Sequence, residues 1–312
     1  MDLTHFTCPE TGTPLGERDG ALVGGARQYP IRRGVPRFVE DSNYADAFGL
    51  QWNTFKKTQF DSHTGASITE DRLALALGRP LAELRGQRVL EAGSGAGRFT
   101  EILLKHGALT YSFDFSNAVD ANCDNNMPDD RLTLFQADIG RIPFEADFFD
   151  AVICLGMLQH TPSTPESLKE LTRVLKPGGQ IVCDHYKYHL GNFTSLYLVW
   201  WFFIRRLAPK RQLAVTEGLT RFFFPIHWKF RNLPFVQMLL RRVSPINFYF
   251  GRFDLPKEML YEWSRLDTHD RNTDHFKRHV TLQGFERMLR GLGYSRPEVF
   301  PGGTGYVARA IK

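Results

Sequence analysis

The sequence has few cysteines and lacks the spacing that would give them a structural role. Its 312 residues include four of them, Cys8, Cys123, Cys154 and Cys183, and none belongs to a Cys-x-x-Cys pair. A disulfide scaffold and a cysteine-rich zinc module are therefore excluded. Internal repeats and low-complexity tracts are absent as well.

Membrane-spanning and targeting signals are also lacking. A strongly apolar stretch, Phe193–Ile204, has twelve residues. As a helix it would rise about 18 Å, which is too short for a bilayer core that needs about 20 residues. The first ten residues have neither the basic start nor the apolar run of a signal peptide. We therefore expect a cytoplasmic protein without a transmembrane span.

What the sequence does have is the composition of a folded protein. Apolar residues make up 42% and charged residues 23%, which suits one large domain or a domain with additions. Two features are unusual, namely the 26 phenylalanines and a net charge of +5. A basic balance can indicate nucleic acid or membrane as a partner, so the position of the charge along the chain matters.

Residues 1–40 are rich in Gly and Pro and contain three short β-like pieces, at 21–23, 28–31 and 36–39. The pattern Cys8-Pro-Glu-Thr11, followed by Tyr-Pro-Ile-Arg-Arg-Gly-Val-Pro at 29–36, resembles the zinc-ribbon-like segments that accompany some methyltransferases. Thr11 stands where that family has its second cysteine. Because one thiolate cannot complete a tetrahedral zinc site, we expect no metal and a β-rich cap on the main domain.

The remaining chain predicts an α/β protein in four parts. Residues 41–85 contain two helices, Asn43–Thr58 and Thr69–Leu77, the second starting at Thr69-Glu-Asp. Residues 86–189 alternate apolar runs with amphipathic helices, as a parallel sheet does. Residues 190–280 form an aromatic and basic insertion, and residues 281–312 complete the core. The predicted strands are 88–92, 109–113, 132–136, 149–155, 180–183, 296–300 and 305–311, and the predicted helices of the core are 98–106, 117–125, 164–175 and 282–292.

A glycine-rich turn follows the first of these strands. The sequence Val-Leu-Glu-Ala-Gly-Ser-Gly-Ala-Gly-Arg-Phe at 89–99 runs from a strand into a helix, so its backbone can approach a ligand closely and its N–H groups can bind an anion. Three further pieces follow later strands. They are Asp114 with Phe115, then Ala137-Asp138-Ile139, and then the run that ends at Leu155 and Gly156.

Together these residues resemble the class I S-adenosylmethionine-dependent methyltransferases, in the subgroup of quinone and natural-product-sugar enzymes. The resemblance implies a Rossmann-like seven-stranded sheet whose last strand is antiparallel, with S-adenosylmethionine at the carboxyl ends of the strands. It implies that Asp114 accepts hydrogen bonds from the ribose hydroxyls and that Asp138 accepts one from the adenine amino group. The expected cofactor-binding residues are Glu91, Ala92, Gly93, Gly95, Gly97, Asp114, Phe115, Ala137, Asp138, Ile139 and Leu155.

Charge along the core agrees with that cofactor. Residues 86–185 contain eight basic and fourteen acidic side chains. An acidic sheet edge suits the positive sulfonium of the cofactor, and its sign argues against nucleic acid across the sheet. We therefore expect a small-molecule acceptor and no nucleic acid.

Two polar positions follow the fourth and fifth predicted strands, where the resemblance places the methyl group. They are His160, in Leu-Gln-His-Thr-Pro, and Asp184, which His185 follows. A His and an Asp in these places resemble the pair of sugar O-methyltransferases, which implies His160 as general base, Asp184 as its partner or a substrate ligand, and His185 as the reserve. An imidazole titrates near neutral pH and suits proton transfer. Alternatively, His160 packs over the cofactor or caps a helix.

Candidate substrate contacts lie outside these motifs. Trp52 and Gln59 belong to a segment that resembles the N-terminal helices of methyltransferases found beside sugar genes, and they can equally pack on the sheet edge. The other candidates are Tyr186, Asp267, His269 and Arg271. Residues 266–279 are dense in His and Asp, but their spacings match no standard metal site, so no metal is predicted.

The insertion leaves three alternatives open. Residues 201–250 carry nine Lys or Arg and a single acid, Glu217. Such a segment can be a lid over a bulky acceptor, a surface that lies in a membrane interface, or a dimer interface. It contains no recognisable RNA-binding module.

The sequence thus predicts methylation of a small molecule, with O-methylation of a sugar or secondary-metabolite hydroxyl as the leading hypothesis. Methylation of a quinone or isoprenoid lipid is the enzymatic alternative. A catalytically silent binding protein of the same fold is the third.

Overall fold

The N-terminal sheet covers one edge of the molecule. In the computed structural model, which describes residues 3–40, 43–188 and 195–312, it consists of β1 (Gly16–Arg18), β2 (Ala21–Gly24), β3 (Arg27–Arg32) and β4 (Val35–Pro36), paired antiparallel in that order. The strand expected at 36–39 ends early, because Phe38 N–H instead donates to the carbonyl of Gln136 at 2.8 Å. Phe6 and Leu22 of this segment are buried in the main core.

Of the two helices predicted next, the first is shorter than expected and the second agrees within one residue, and a short helix lies between them. They are α1 (Asp46–Thr54), α2 (Asp61–Thr64) and α3 (Ile68–Leu77). The Asn43 side chain accepts from Ala45 N–H at 2.9 Å, which holds residues 43–45 outside α1. Asp61, rather than the residues at 69–71, caps α3: its carboxylate accepts from Thr69 N–H at 2.8 Å and Glu70 N–H at 2.9 Å.

The central sheet confirms the α/β fold. Its strands and the helices between them are β5 (Arg88–Ala92), α4 (Arg98–Lys105), β6 (Leu109–Asp114), α5 (Ala118–Asn126), β7 (Leu132–Gln136), β8 (Phe149–Cys154), α6 (Thr164–Val174) and β9 (Leu175–His185). The seven-stranded order is β10-β11-β9-β8-β5-β6-β7, in which β10 is Glu298–Gly302 and β11 is Gly305–Ile311. The last strand, β11, pairs antiparallel with β9, as predicted. Strand order reverses beside β5, and ligands of open α/β sheets bind at such a point.

The insertion forms a helical layer with its own small core. It contains α7 (Tyr197–Ile204), α8 (Pro209–Lys229), α9 (Pro234–Val243) and α10 (Lys257–Thr273), and α11 (Leu282–Gly291) then returns to the sheet. Phe224, Ile246 and Leu260 are the buried centre of this core. The start of the predicted apolar run, at 193–194, lies outside the described residues. Across the described part of the chain, no helix is long and apolar enough to cross a membrane.

Candidate active site

A cavity of about 860 Å³ opens at the carboxyl ends of β5, β6 and β8. Its walls come from the glycine turn, from α1 with the loop after it, and from one residue of α10. The lining includes Tyr44, Phe48, Trp52, Gln59, Gly93, Gly95, Arg98, Asp114, Phe115, Leu155, Met157, His160 and Asp270. Six of the predicted cofactor and catalytic residues and two of the predicted substrate residues are therefore brought together.

The glycine turn is shaped so that only glycine fits. Gly93 and Gly95 have φ values of 78° and 53°, a left-handed region that strains other residues. A Cβ on Gly93 would lie 2.5 Å from Sδ of Met157, and one on Gly95 would lie 2.8 Å from Cε2 of Trp52. Gly97 has a different role, since its Cβ would collide with Asn122 Oδ1 of α5 at 2.3 Å. Gly97 therefore permits helix packing, and Gly93 and Gly95 shape the cavity.

Asp114 lies at the end of β6, and three hydrogen bonds fix the orientation of its carboxylate. Its Oδ2 accepts from Gly95 N–H at 3.0 Å, and its Oδ1 accepts from the N–H and hydroxyl of Ser116 at 2.9 and 2.7 Å. Burial raises the pKa of Asp114 above the ordinary value of a carboxyl. Asp138 is half-buried and accepts from Gly140 N–H at 2.8 Å. Asp114 thus lines the cavity directly, whereas the role of Asp138 in adenine binding stays a prediction.

Four other predicted cofactor residues direct their side chains elsewhere. Ala92, Ala137 and Ile139 are buried in the main hydrophobic core. Glu91 is 2% exposed, and its carboxylate accepts from the hydroxyls of Thr100 and Ser112. Burial raises the pKa of Glu91 to about 7. None of these four side chains lines the cavity, and the strand pattern could not show this because it does not fix which side of a strand faces a ligand.

His160 lines the cavity, but its acidic partner is not the predicted one. Its Nδ1 lies 3.6 Å from Asp274 Oδ2 and 3.3 Å from the carbonyl of Phe276. Its Nε2 lies 3.5 Å from the Tyr186 hydroxyl. Burial lowers the pKa of His160, and the Asp274 carboxylate opposes that shift. The lowered pKa favours the neutral imidazole, which is the form that can accept a proton.

Asp184 and His185 have partners other than His160 in the structure, so their catalytic roles stay predictions. Asp184 is fully buried; its Oδ2 accepts from Arg72 Nη2 and its Oδ1 from Gly156 N–H, both at 2.6 Å. His185 Nε2 lies 3.0 Å from the Thr164 hydroxyl, and burial lowers the pKa of His185 to about 4. Side chains alternate along a strand, so consecutive residues of β9 face opposite sides of the sheet.

Of the predicted substrate residues, Trp52 and Gln59 line the cavity, and four others do not: Tyr186, Asp267, His269 and Arg271. Gln59 Nε2 donates to Asp267 Oδ1 at 3.2 Å. Burial raises the pKa of Asp267 to about 6. His269 is buried with its Nδ1 2.9 Å from the Thr216 hydroxyl and does not line the cavity, and its role as a substrate contact stays a prediction.

Arg271 is another predicted substrate residue that does not line the cavity. Its Nη1 donates to Asn247 Oδ1 at 3.1 Å, and its guanidinium lies 4.0 Å from the centre of the Tyr197 ring. Arg271 therefore holds the insertion together, because both contacts join α10 to its other segments.

Sequence reasoning named Asp267 but missed three other residues at the site. Two of them, Asp270 and Asp274, follow Asp267 at i+3 and i+7 and so share one face of α10 and its end, a spacing that could have indicated a common direction. Arg98 also lines the cavity, and burial lowers its pKa to about 9. Its place directly after the glycine turn was the available signal.

The structure also bears on the lid alternative. Among the described residues that line the cavity, none comes from 195–250. That segment instead packs through α8 on α10 and α1. The aromatic residues that line the cavity come instead from residues 44–60 and from Phe99 and Phe115 of the core.

Comparison with known proteins agrees with this geometry. Residues 90–183 match a family described as a methyltransferase domain. The chain is 35% identical over 123 residues to a demethylmenaquinone methyltransferase of Clavibacter sepedonicus, covering 39% of this chain and 50% of that protein. It is 32% identical over 100 residues to a ubiquinone biosynthesis O-methyltransferase of Coxiella burnetii, covering 31% and 43%. The chain thus spans half or less of the length of these relatives.

Structural similarity extends further along the chain at lower identity. A putative S-adenosylmethionine-dependent methyltransferase from Methanococcus maripaludis aligns with 88% of this chain and 96% of its own at 16% identity, with a TM-score of 0.47. Residues 90–183 therefore resemble a methyltransferase domain, and that match supports S-adenosylmethionine as the cofactor. The cavity fits that group because the turn leaves space at Gly93 and Gly95 that a Cβ would fill.

Proposed function

We propose that this protein is an S-adenosylmethionine-dependent methyltransferase that methylates a hydroxyl of a small molecule. The observation that carries the proposal is the position of His160, which lines the same cavity as the glycine turn and has a carboxylate behind its Nδ1. The turn, Asp114 and Phe115 would hold the cofactor. When bound, S-adenosylmethionine supplies a methyl group on a positive sulfonium, which an oxygen lone pair can attack.

The protein's contribution to the reaction is proton transfer and orientation. An acceptor hydroxyl gives its proton to Nε2 of His160 as its oxygen becomes methylated, so the products are a methyl ether, S-adenosylhomocysteine and a protonated imidazole. Asp274 stabilises that imidazolium from the Nδ1 side. Lys277 lies 2.7 Å from Asp274 Oδ2 and fixes the carboxylate. The proton then passes to solvent and restores the base.

An apolar ring that bears a hydroxyl, as in a quinol, is the acceptor class that we propose. Phe48, Trp52 and Phe55 line the cavity from α1 and the residue after it, and flat aromatic walls suit a flat ring. Two of the relatives are named as enzymes of quinone methylation. A sugar or secondary-metabolite hydroxyl is the second candidate, and the polar groups of Gln59 and Asp270 in the lining favour it.

Cofactor binding gives the first prediction. Replacing Gly95 with alanine should weaken S-adenosylhomocysteine binding about tenfold, because a left-handed non-glycine residue costs roughly 1–3 kcal/mol and the turn must move away from Trp52. Isothermal titration calorimetry measures the affinity. Gly86→Ala is the matched control, since its φ is 72° and nothing lies within 4 Å of its Cβ. Equal affinities of Gly95→Ala and the unmodified protein would contradict this placement of the cofactor.

Turnover gives the second prediction. With S-adenosylmethionine and a catechol or quinol acceptor, the protein should release S-adenosylhomocysteine, and omission of the acceptor should abolish the release. Mass spectrometry of both products measures it. Turnover with sugar hydroxyls alone would replace the proposed acceptor by the second candidate. Cofactor binding without release on any acceptor would instead indicate a binding protein.

A further inference from the structure

The helices α7 and α9 expose an unusual amount of apolar side chain. On α7, Phe203 is 64% exposed, and on α9, Phe235 is 68% exposed. The two helices are adjacent, because Leu196 N–H donates to the carbonyl of Arg242 at 2.8 Å and Trp200 Nε1 donates to the carbonyl of Val243 at 3.1 Å. An exposed patch of this kind in a folded protein marks an interaction surface.

The exposed residues follow the same pattern on both helices. On α7 they include Val199, Phe202 and Phe203, and Arg206 is exposed in the turn that follows; on α9 they include Phe235, Met238, Leu239 and Arg242. In each case the spacing is i, i+3, i+4 and i+7, which aligns the three apolar side chains on one helix face and puts an arginine at or just beyond its end. The Arg206 guanidinium lies 3.5 Å from the centre of the Phe202 ring. Each helix thus presents an apolar stripe that ends in a cation.

An apolar groove lies beside this surface. It has a volume of about 840 Å³. Its walls come from α7, from Leu196 before that helix and Leu207 after it, and from Val215 of α8. Each of its lining residues is apolar or aromatic: Leu196, Val199, Trp200, Phe203, Ile204, Leu207 and Val215. Together, the exposed stripes and the groove form what we call the α7–α9 face.

Charge identifies the partner of the α7–α9 face. Residues 201–250 carry nine basic side chains and one acid. The acid, Glu217, forms an ion pair with Arg265 of α10. Within the part of the chain that the structure describes, none of the nine basic side chains belongs to an ion pair. A partner therefore needs many negative charges next to an apolar layer, which is the structure of an anionic bilayer surface.

A second copy of this chain fits the face less well. In a two-fold dimer the same patch of each subunit meets itself, so two strongly basic segments would be brought together. A cytosolic anion such as RNA would leave the exposed phenylalanines in water. We propose that the α7–α9 face docks on the interface of a membrane that contains anionic phospholipid. The apolar stripes then lie among the acyl chains, and Arg206 and Arg242 lie at the headgroups.

The experiment is vesicle co-sedimentation with the full chain. Binding to vesicles of phosphatidylcholine and phosphatidylglycerol in equal parts should be at least about tenfold tighter than to phosphatidylcholine alone, since each basic residue near an anionic surface contributes about 1 kcal/mol. The double substitution Phe203→Glu with Phe235→Glu should lower that affinity about tenfold or more. Leu75→Glu on α3 is the matched control, because Leu75 is 58% exposed and lies outside the α7–α9 face.

Two further measurements keep the result decisive. Thermal unfolding and S-adenosylhomocysteine affinity must be unchanged in the double variant, which separates a lost surface from a lost fold. A second pair, Arg206→Gln with Arg242→Gln, should weaken binding to the anionic vesicles only. Equal binding to both vesicle types, no binding to either, or a dimer that the double variant disrupts would each overturn the proposal. These outcomes do not depend on whether the acceptor of the methyl group is a quinol.

Discussion

Replacing His160 with alanine is expected to lower kcat by about 10²–10⁴-fold, the range lost when a general base is removed. The affinity for S-adenosylhomocysteine should stay the same, because the glycine turn and Asp114 would hold the cofactor; the melting temperature should fall by only a few degrees, because the Nδ1 contacts with Phe276 and Asp274 are lost. Steady-state kinetics and calorimetry on the same preparations measure both effects.

His185→Gln is the matched control for that experiment. His185 is buried against Thr164 on the other side of β9, so its replacement should leave kcat unchanged. If His160→Ala turns over at the rate of the unmodified protein, His160 is not the base.

The pH dependence of kcat tests the role of Asp274. Neutral His160 is the active form, so kcat falls as pH drops through the pKa of this residue, which burial has already lowered. Asp274 raises that pKa. Asp274→Asn should therefore move the acid limb to still lower pH and reduce the plateau, because the imidazole becomes a weaker base. A purely structural role of Asp274 would leave the limb where it is.

The second large effect is on stability and concerns Asp184. Asp184→Ala is expected to lower the free energy of unfolding by roughly 3–5 kcal/mol, since it leaves the Arg72 guanidinium without its buried partner. Urea unfolding followed by circular dichroism measures the change. Glu286→Ala is the control, because its ion pair with Arg290 lies at the surface of α11 and such pairs contribute about 0–1 kcal/mol.

The two large predictions separate the roles of His160 and Asp184. His160→Ala should lose turnover and keep most of its stability, whereas the main effect of Asp184→Ala should be a lower free energy of unfolding. An Asp184→Ala protein that unfolds like the unmodified one and has lost turnover would restore Asp184 to the catalytic residues. Arg72→Met combined with Asp184→Leu should recover part of the stability, because it removes both charges from the buried pair.

The strands and the glycine turn were predictable because their signals are local. Apolar runs such as 88–92 and 132–136 coincide with β5 and β7 in full. The cap of α3 was not predictable in this way, because Asp61 reaches it from the preceding turn. The direction of Glu91 was not predictable either, since a strand buried on both faces has no polar side to mark its orientation.

The sequence by itself determined the class of the fold and the positions of the glycine turn, Asp114 and His160 after their strands, because each depends on residues that are neighbours along the chain. Only the tertiary structure decided what surrounds His160. It placed Asp274 there, at the end of α10, and assigned Asp184 to Arg72. The physical reason is that a buried charge needs a partner within a few ångströms. Tertiary packing supplies that partner from segments far apart in sequence.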